Sequence, residues 1–195
     1  MLVIDAINDM LAYLGESPLD PTDPDYTEHP LYASALRVLD TSSIKVQSRG
    51  WWFNDRVATL EPVADAIVIP NTYISVAIVG WGRYADYTVR DGALFDLTNN
   101  TAVITSSLRA WIRELIPFAE LPQTAAAYVA AHAATRFVRT YDGDRGKLAD
   151  VKEDEASAYI LFNADHIRNS RVNLHTTASM GPVIANTWYS RYQRT

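Results

Sequence analysis

A chain of 195 residues is long enough for one substantial core, or for one domain that carries an inserted subdomain. Hydrophobic residues make up 48% of it, which excludes a largely disordered chain, and a formal net charge of −6 gives no support to a nucleic-acid binder. The absence of cysteine excludes disulfides, thiolate metal sites and cysteine nucleophiles.

The first segment, MLVIDAINDMLAYLG, predicts a helix that ends at Gly15, with Pro18 blocking its continuation. It does not read as a signal peptide, because it lacks a basic region and acidic residues interrupt its apolar run. No apolar run approaches the roughly 20 residues that cross a bilayer. We therefore expect no membrane partner, and the cytoplasm of the cell that makes the protein is the default location.

A second helix is predicted from near Pro30 to Arg49, after a proline-rich acidic loop. Gly50 ends this helix, and basic residues in its second half suit the helix dipole. Its predicted apolar stripe is Leu31, Ala35, Val38, Leu39, Ser42 and Val46.

Beyond Gly50 the period of the pattern changes, and residues 51–121 are predicted to be mostly β. Short runs rich in β-branched and aromatic residues alternate with turn signals, among them WWFNDRVATL, AIVIP, TYISVAIVG and NTAVITSS. The run YTVRDGALFDL is the clearest hairpin signal, because Asp91-Gly92 favours a tight primed turn. The segment LRAWIREL near the end of this region is predicted as a short helix or a mixed piece.

Helices return in the last third of the chain. LPQTAAAYVAAHAATRFVRTY predicts an alanine-rich helix, and residues 142–146 predict a loop. A last helix is predicted from about Leu148 to Ile167, with one apolar side formed by Val151, Ala158, Tyr159, Phe162 and Ile167. From residue 168 onward the chain is polar, contains Gly181-Pro182 and lacks a helical pattern.

This order of elements predicts an α+β fold. A four-helix bundle is formed by the N- and C-terminal helices of residues 1–50 and 122–170, with a mostly β insertion over residues 51–121 and an extended C-terminal tail over residues 171–195. Trp51, Trp52 and Phe53 then lie at the junction of bundle and insertion, where large aromatic groups can bury the seam.

No pattern predicts a metal or cofactor site. The four histidines are scattered, and His132 in the alanine-rich helix reads as a packing residue. The run DGDRG lacks the later ligands of a calcium loop and reads as an interhelix turn. Acidic residues 153–155 are placed in the first turns of the last helix, where they would interact with its dipole. There is no nucleophile elbow, P-loop or dinucleotide-binding motif.

Two alternatives to a structural protein remain open from the residues alone. A carbohydrate-degrading hydrolase would need two acids in a cleft, and its only support is a set of aromatic and acidic residues in the β region. These are Trp81, Tyr84, Tyr87, Asp86, Asp91 and Asp96. A DNA-binding module would need a basic stripe on a helix, and none is found outside the tail.

Charge is unevenly distributed along the chain. Residues 1–50 carry eight acids and three bases, whereas no acid follows Asp165. The tail combines arginine with aromatic residues, which make strong interface anchors, so it is predicted to be a docking arm; the alternative is a frayed terminus. The anchors of this arm are Trp188, Tyr189, Arg191, Tyr192 and Arg194. Opposite charge at the two ends also suits head-to-tail contacts in a ring.

Three stretches resemble the tail tubular protein A family of short-tailed bacteriophages (podoviruses). They are AINDMLAYLGESPL (residues 6–19), ALRVLDTSSIKVQSRGWWFN (residues 35–54), and the run from ELPQTAAAYVAAHAATRFVRTYDGD to EDEASAYILF. The likeness covers most of residues 4–175, with a looser match in the β region and the tail.

The resemblance implies a structural virion protein and no enzyme. Family members are adaptors that form a ring, usually of twelve copies, between the portal protein above and the nozzle (tail tubular protein B) below. DNA leaves through the central channel without specific binding, and tail fibres are a further expected partner. The implied location is the phage tail of the virion, assembled in the host cytoplasm.

The resemblance also assigns a structural role to residues at the junction. Gln47, Ser48, Arg49, Gly50, Trp51 and Phe53 match the family motif between bundle and insertion. Their implied role is to fix the angle between the two parts. Trp52 occupies a position that varies within the motif.

Overall fold

A computed structural model describes residues 1–79 and 86–170, and within these ranges the chain is α+β. Its helices are α1 (Val3–Leu14), α2 (Tyr32–Gln47), α3 (Gln123–Tyr141) and α4 (Arg145–Asn169). Its strands are β1 (Asp55–Leu60), β2 (Tyr73–Ile78), β3 (Tyr87–Arg90), β4 (Ala93–Asp96) and β5 (Leu108–Glu114). The predicted α+β class is therefore confirmed, the four-helix bundle arrangement stays a prediction, and the predicted tail lies outside the described residues.

Helix α1 ends where the sequence predicted. Gly15 adopts a left-handed conformation with φ 80°, and the backbone N–H of Glu16 donates to the carbonyl of Leu11 at 3.1 Å. This pattern closes a helix C-terminus with a glycine that carries no Cβ penalty. The buried side of the helix consists of Ala6, Ile7, Met10 and Leu11.

Helix α2 is two residues shorter at each end than predicted, since it begins at Tyr32 and ends at Gln47. Its buried side also differs from the predicted stripe: Val38 is half-buried, while Ser43 and Gln47 are buried. The predicted stripe did not include these two polar side chains, and their burial is compatible with their polarity because Nε2 of Gln47 donates to Oγ of Ser43 at 2.9 Å.

The prediction of a helix or mixed piece at LRAWIREL is wrong, because this segment is β5, the central strand of a three-stranded antiparallel sheet in the order β1-β5-β2. Leu108, Ala110 and Ile112 face the core, while Arg109 and Trp111 alternate with them and are exposed. A two-residue period of this kind belongs to a strand. The charged residues in the run obscure it.

The predicted hairpin is confirmed. Strands β3 and β4 pair through Arg90 and Ala93, and the intervening Asp91 and Gly92 both have positive φ, 49° and 74°. Two positive φ values are the signature of a primed two-residue turn. The predicted strands AIVIP and NTAVITSS contribute only isolated bridges, namely Val63–Ala66, Val68–Ala93 and Asp96–Thr101.

Helix α3 is the centre of the helical part, because it packs against α1, α2 and α4, and α1 also contacts α2. Its buried alanines permit close approach of the neighbouring helices: Ala125, Ala126, Ala130, Ala133 and Ala134. On the surface, the Tyr13 hydroxyl of α1 donates to Asp154 of α4 at 2.5 Å. Burial raises the pKa of Tyr13 to about 12, and the bond to Asp154 adds to this shift.

Helix α4 begins earlier than predicted. Asp144 caps its N-terminus by accepting from the backbone N–H groups of Gly146 and Lys147 at 2.7 and 3.0 Å. The predicted interhelix turn at residues 142–146 thus includes the cap. Because the helix starts at Arg145, acidic residues 153–155 lie in its third turn and not near its N-terminal dipole. Ile167 was assigned to the apolar side, but it is 56% exposed.

Two hydrophobic clusters form the core of the described residues. The helical cluster joins the four helices and includes Trp51, Phe118 and Leu121 from the connecting segments. The sheet cluster lies between the strands and loops and consists of Leu60, Ile67, Ile69, Leu94, Ile104, Ala110 and Ile112. The segments that join the two clusters, residues 47–55 and 113–118, are the structural junction described next; the domain boundaries themselves stay a prediction.

Candidate functional site: the junction between helices and sheet

Gly50 turns the chain from α2 toward β1. Its φ of 79° is one that residues with a side chain rarely adopt, and a Cβ at this position would overlap the guanidinium of Arg113. The backbone conformation therefore favours glycine here, and a side chain at this position would also displace the Arg113 guanidinium.

The Gln47 side chain binds the segment that follows β5. Its Oε1 accepts from the backbone N–H of Ile116 at 2.8 Å, and its Nε2 donates to the carbonyl of the same residue at 2.9 Å. Gln47 is fully buried, so each of these bonds replaces water that the backbone groups of Ile116 have lost. The end of α2 is thereby fastened to the segment after β5.

Asn54 makes a second connection between the same two segments. Its Nδ2 donates to the carbonyls of Gln47 at 3.1 Å and Glu114 at 3.0 Å, while its Oδ1 accepts from the N–H of Trp51 at 2.8 Å. The side chain is 2% exposed. Sequence reasoning did not single out Asn54, although it is the last residue of the stretch that carries the family resemblance.

Arg113 of β5 makes a third connection. Its Nη1 donates to the carbonyl of Ser48 just beyond α2 at 2.8 Å, and its Nη2 pairs with Asp55 at 3.2 Å. A positive charge at the C-terminal end of a helix is favourable because that end carries the negative pole of the helix dipole. Arg113 also has a buried Nε with no hydrogen-bond partner among the described residues.

The aromatic residues that follow Gly50 pack on α4 instead of on the sheet. The Trp51 ring lies 4.3 Å from Phe162 and 5.1 Å from His166, measured between centroids, and its Nε1 donates to the carbonyl of Val46 at 2.7 Å. Trp52 is half-buried and lies 5.6 Å from Phe162. This aromatic cluster therefore joins the end of α2 to the second half of α4.

The remaining predicted junction residues differ in burial. Phe53 is half-buried and stacks edge-to-face on Trp52 at 5.1 Å. The Arg49 side chain is exposed, and it takes no hydrogen bond within the described ranges. Apart from Arg49, the predicted junction residues thus take part in the contacts described above. The predicted tail anchors, Trp188, Tyr189, Arg191, Tyr192 and Arg194, lie outside the described residues. The assigned role in fixing an angle stays a prediction.

Among the residues considered for catalysis or metal binding, His132 and Asp96 make hydrogen bonds to neighbouring protein groups. Nδ1 of His132 lies 2.6 Å from Glu155, beside the Tyr128 ring. Asp96 accepts from the backbone N–H groups of Thr98 and Asn99, and the Asn99 bonds hold its pKa below the usual value. Across residues 1–79 and 86–170, no three potential metal ligands gather at one point. Trp81 and Tyr84 lie outside the described residues.

No helix in the described part of the chain combines the length and the apolar character needed to span a membrane. The junction side chains described above connect the helices to the sheet by packing and hydrogen bonds. A family model described as a tail tubular protein matches residues 4–172.

The chain therefore belongs to the tail tubular protein family, and it is a structural component of a bacteriophage tail. Tail tubular protein A of Klebsiella phage KP34 is 28% identical to it over 178 residues, which is 91% of this chain and 93% of that protein. The family is structural and not enzymatic, so the chain's membership of it confirms the prediction that the chain is no enzyme. The hydrolase alternative is not favoured.

Proposed function

We propose that this chain is the adaptor subunit of a phage tail, which forms a ring joining the portal protein above to the nozzle below. The single observation that carries the proposal is the family match over residues 4–172, which spans both the helices and the sheet. The relative in phage KP34 carries the name tail tubular protein A, the family whose resemblance implies an adaptor role.

The junction supports this role by its construction. A subunit in a closed ring must keep a constant shape, since small errors in angle accumulate around the ring. Gln47, Asn54 and Arg113 provide hydrogen bonds between the chain around the end of α2 and the end of β5 or the residues just after it, and Gly50 leaves Arg113 the room to approach. We propose that these bonds, together with the aromatic cluster on α4, fix the angle between a four-helix bundle and the β insertion.

The charge of the chain suits a channel for DNA. Acidic side chains facing the lumen would repel the phosphates, so that the passing duplex does not adhere. The formal net charge of −6 and the acidic surplus of the first 50 residues support this arrangement. DNA is then a passenger in the ring, without a specific binding site.

The tail of residues 171–195 is proposed to dock on the portal or on a neighbouring subunit. Its support is compositional, since arginine and aromatic residues are common interface anchors. We further propose that the ring has twelve copies and contacts tail fibres. The protein would then lie in the tail of the virion and be assembled in the host cytoplasm.

Measuring the mass of the purified protein, alone and with a portal ring, tests this function. We expect a soluble protein that is monomeric at low concentration and gains a ring of its own copies on the portal. A chain that stays monomeric in the presence of the portal ring contradicts the adaptor role. Soluble portal subunits that have not formed a ring serve as the control for contact without a template.

A further inference from the structure

On one side of the three-stranded sheet, a middle row of apolar side chains is exposed between two polar rows, Asp55, Arg113 and Ser75 at one end and Thr59 and Arg109 at the other. Val57, Trp111 and Ala77 lie in one row across β1, β5 and β2, as the strand registers show. All three are exposed, and Trp111 is 53% exposed. Arg109 and Val79 extend the same side, and we call these five residues the sheet face. An exposed tryptophan within an apolar row is typical of an interaction surface.

A second uncovered apolar surface lies on α4. Ile160, Leu161 and Ile167 are 66%, 64% and 56% exposed, although the helix already buries Val151 and Phe162 on its other side. Glu153, which is also exposed, lies on the side of Ile160 two turns earlier. We call these four residues the α4 outer face. A helix with apolar residues on two opposite sides needs two partners, and α3 supplies one.

We propose that the sheet face of one copy packs against the α4 outer face of the next copy. The inference rests on the proposed ring and names the two surfaces that build it. A different protein would cover only one of the two surfaces. A second copy of this chain brings its α4 outer face to the sheet face of the first, so that one contact covers both kinds of surface.

The shapes of the two surfaces agree. Three strands spaced about 4.8 Å apart present a face roughly 10 Å wide. A helix with its side chains has a diameter of about 10–12 Å. One helix therefore covers the sheet face across its width, with Trp111 at the centre of the contact.

The charges at the edges of the two surfaces are opposite. Arg109 on the sheet face and Glu153 on the α4 outer face are exposed, and neither has an ion-pair partner among the described residues. Asp150, also exposed, adds a second acid beside Glu153. Packing the sheet face on its own copy would bring arginines together, and packing α4 on α4 would bring acids together. The charges thus favour contact between unlike surfaces.

Contact between unlike surfaces leaves one surface free at each end of a pair, so copies add in one direction until a ring closes. The sheet face measures roughly 10 by 20 Å, well below the approximately 800 Å² per partner of a stable pairwise interface. A single contact is therefore weak, and several contacts or a portal template are needed. This agrees with a protein that is monomeric when dilute.

The absence of native cysteine allows a direct test by cross-linking of the full chain. Ala77→Cys places a thiol on the sheet face, and Ala156→Cys places one at the edge of the α4 outer face; both alanines are exposed. We expect a short bismaleimide to give a cross-linked dimer when the two variants are mixed at high concentration, and none with either variant alone. Ser17→Cys, in the loop after α1, is the matched control and should give none in any mixture.

Each other result overturns the pairing. Dimers from one variant alone would show that a surface packs on its own copy. No dimer in the mixture would show that the surfaces do not meet. Failure of the introduced thiols to react with a monofunctional maleimide would show that the chain's own tail covers the surfaces.

Charge reversal provides a second, independent test. Arg109→Glu in the Ala77→Cys chain should lower the yield of the mixed dimer at least several-fold, and Glu153→Arg in the Ala156→Cys chain should restore it. If the portal gathers a ring of wild-type chains while no mixed dimer forms, the pairing is wrong and the adaptor role stands. If neither a ring nor a dimer forms, the adaptor role fails as well.

Discussion

Replacing Trp51 by alanine should destabilise the monomer by about 3–5 kcal/mol, the range for deleting a buried aromatic ring. The ring is 5% exposed and contacts Phe162 and His166 of α4. Burial of roughly 200 Å² at about 25 cal/mol per Å² corresponds to roughly 5 kcal/mol. Loss of the bond from Nε1 to the carbonyl of Val46 adds about 1 kcal/mol. A groove of about 340 Å³ beside Trp51 admits water to the gap and offsets part of the loss.

Urea unfolding followed by far-ultraviolet circular dichroism measures this change in the free energy of unfolding. Trp111→Ala is the matched control, because it removes the same residue type from a position that is 53% exposed, and it should change the stability of the monomer by less than about 0.5 kcal/mol. Phe53→Ala should fall between the two, since Phe53 is half-buried. A loss below about 1 kcal/mol for Trp51→Ala, or equal losses for both tryptophans, would contradict a structural role at the junction.

Gln47→Leu should cost about 2–4 kcal/mol in urea unfolding, because it leaves the N–H and C=O of Ile116 without partners; a change near zero would mean that water replaces the amide. Asp144→Ala should lower the melting temperature at pH 7. The backbone N–H groups of Lys147 and Gly146 hold the pKa of Asp144 below 3.8, so its stabilising effect is present above that pH and lost as the pH falls through its folded pKa. Melting curves of the variant and the wild type should therefore converge in acid, and a constant gap would exclude the charge as the cause. Deleting residues 176–195 should leave the melting temperature nearly unchanged and reduce recovery of the chain on a portal ring. Unfolding of the truncated monomer would instead show that the tail belongs to the core.

The sequence predicted those elements whose signals are local. Gly15 and Gly50 marked helix ends, and Asp91-Gly92 marked a hairpin, because each requires a positive φ that few other residues adopt. The same reasoning failed at β5. Arginines on both sides of Trp111 resemble the polar side of a helix, and only pairing with β1 and β2 shows that they alternate with core residues.

The buried polar contacts of the junction could not be predicted from local patterns. Gln47 binds Ile116, 69 positions later, and Asn54 binds Glu114, 60 positions later. A glutamine near a helix end is ordinarily exposed, and nothing in its neighbourhood distinguishes one that is fully buried. The family resemblance singled out Gln47, but it could not identify the backbone groups that the side chain binds.

The order of contacts along the chain explains why two tryptophans, Trp51 and Trp52, directly follow Gly50. Gly50 turns the backbone so that Trp51 reaches α4, while Gln47 and Asn54 on either side bind the segment returning from β5. The eight residues 47–54 thus contact both α4 and the segment that returns from the sheet. Because these contacts share one short segment, we expect a displacement of α4 to change the position from which the sheet projects. The inner side of α4 holds that segment through Phe162, and the outer side presents Ile160 only two residues away. A contact made by a neighbouring copy on the outer face of α4 therefore acts on the same two helical turns that position the sheet.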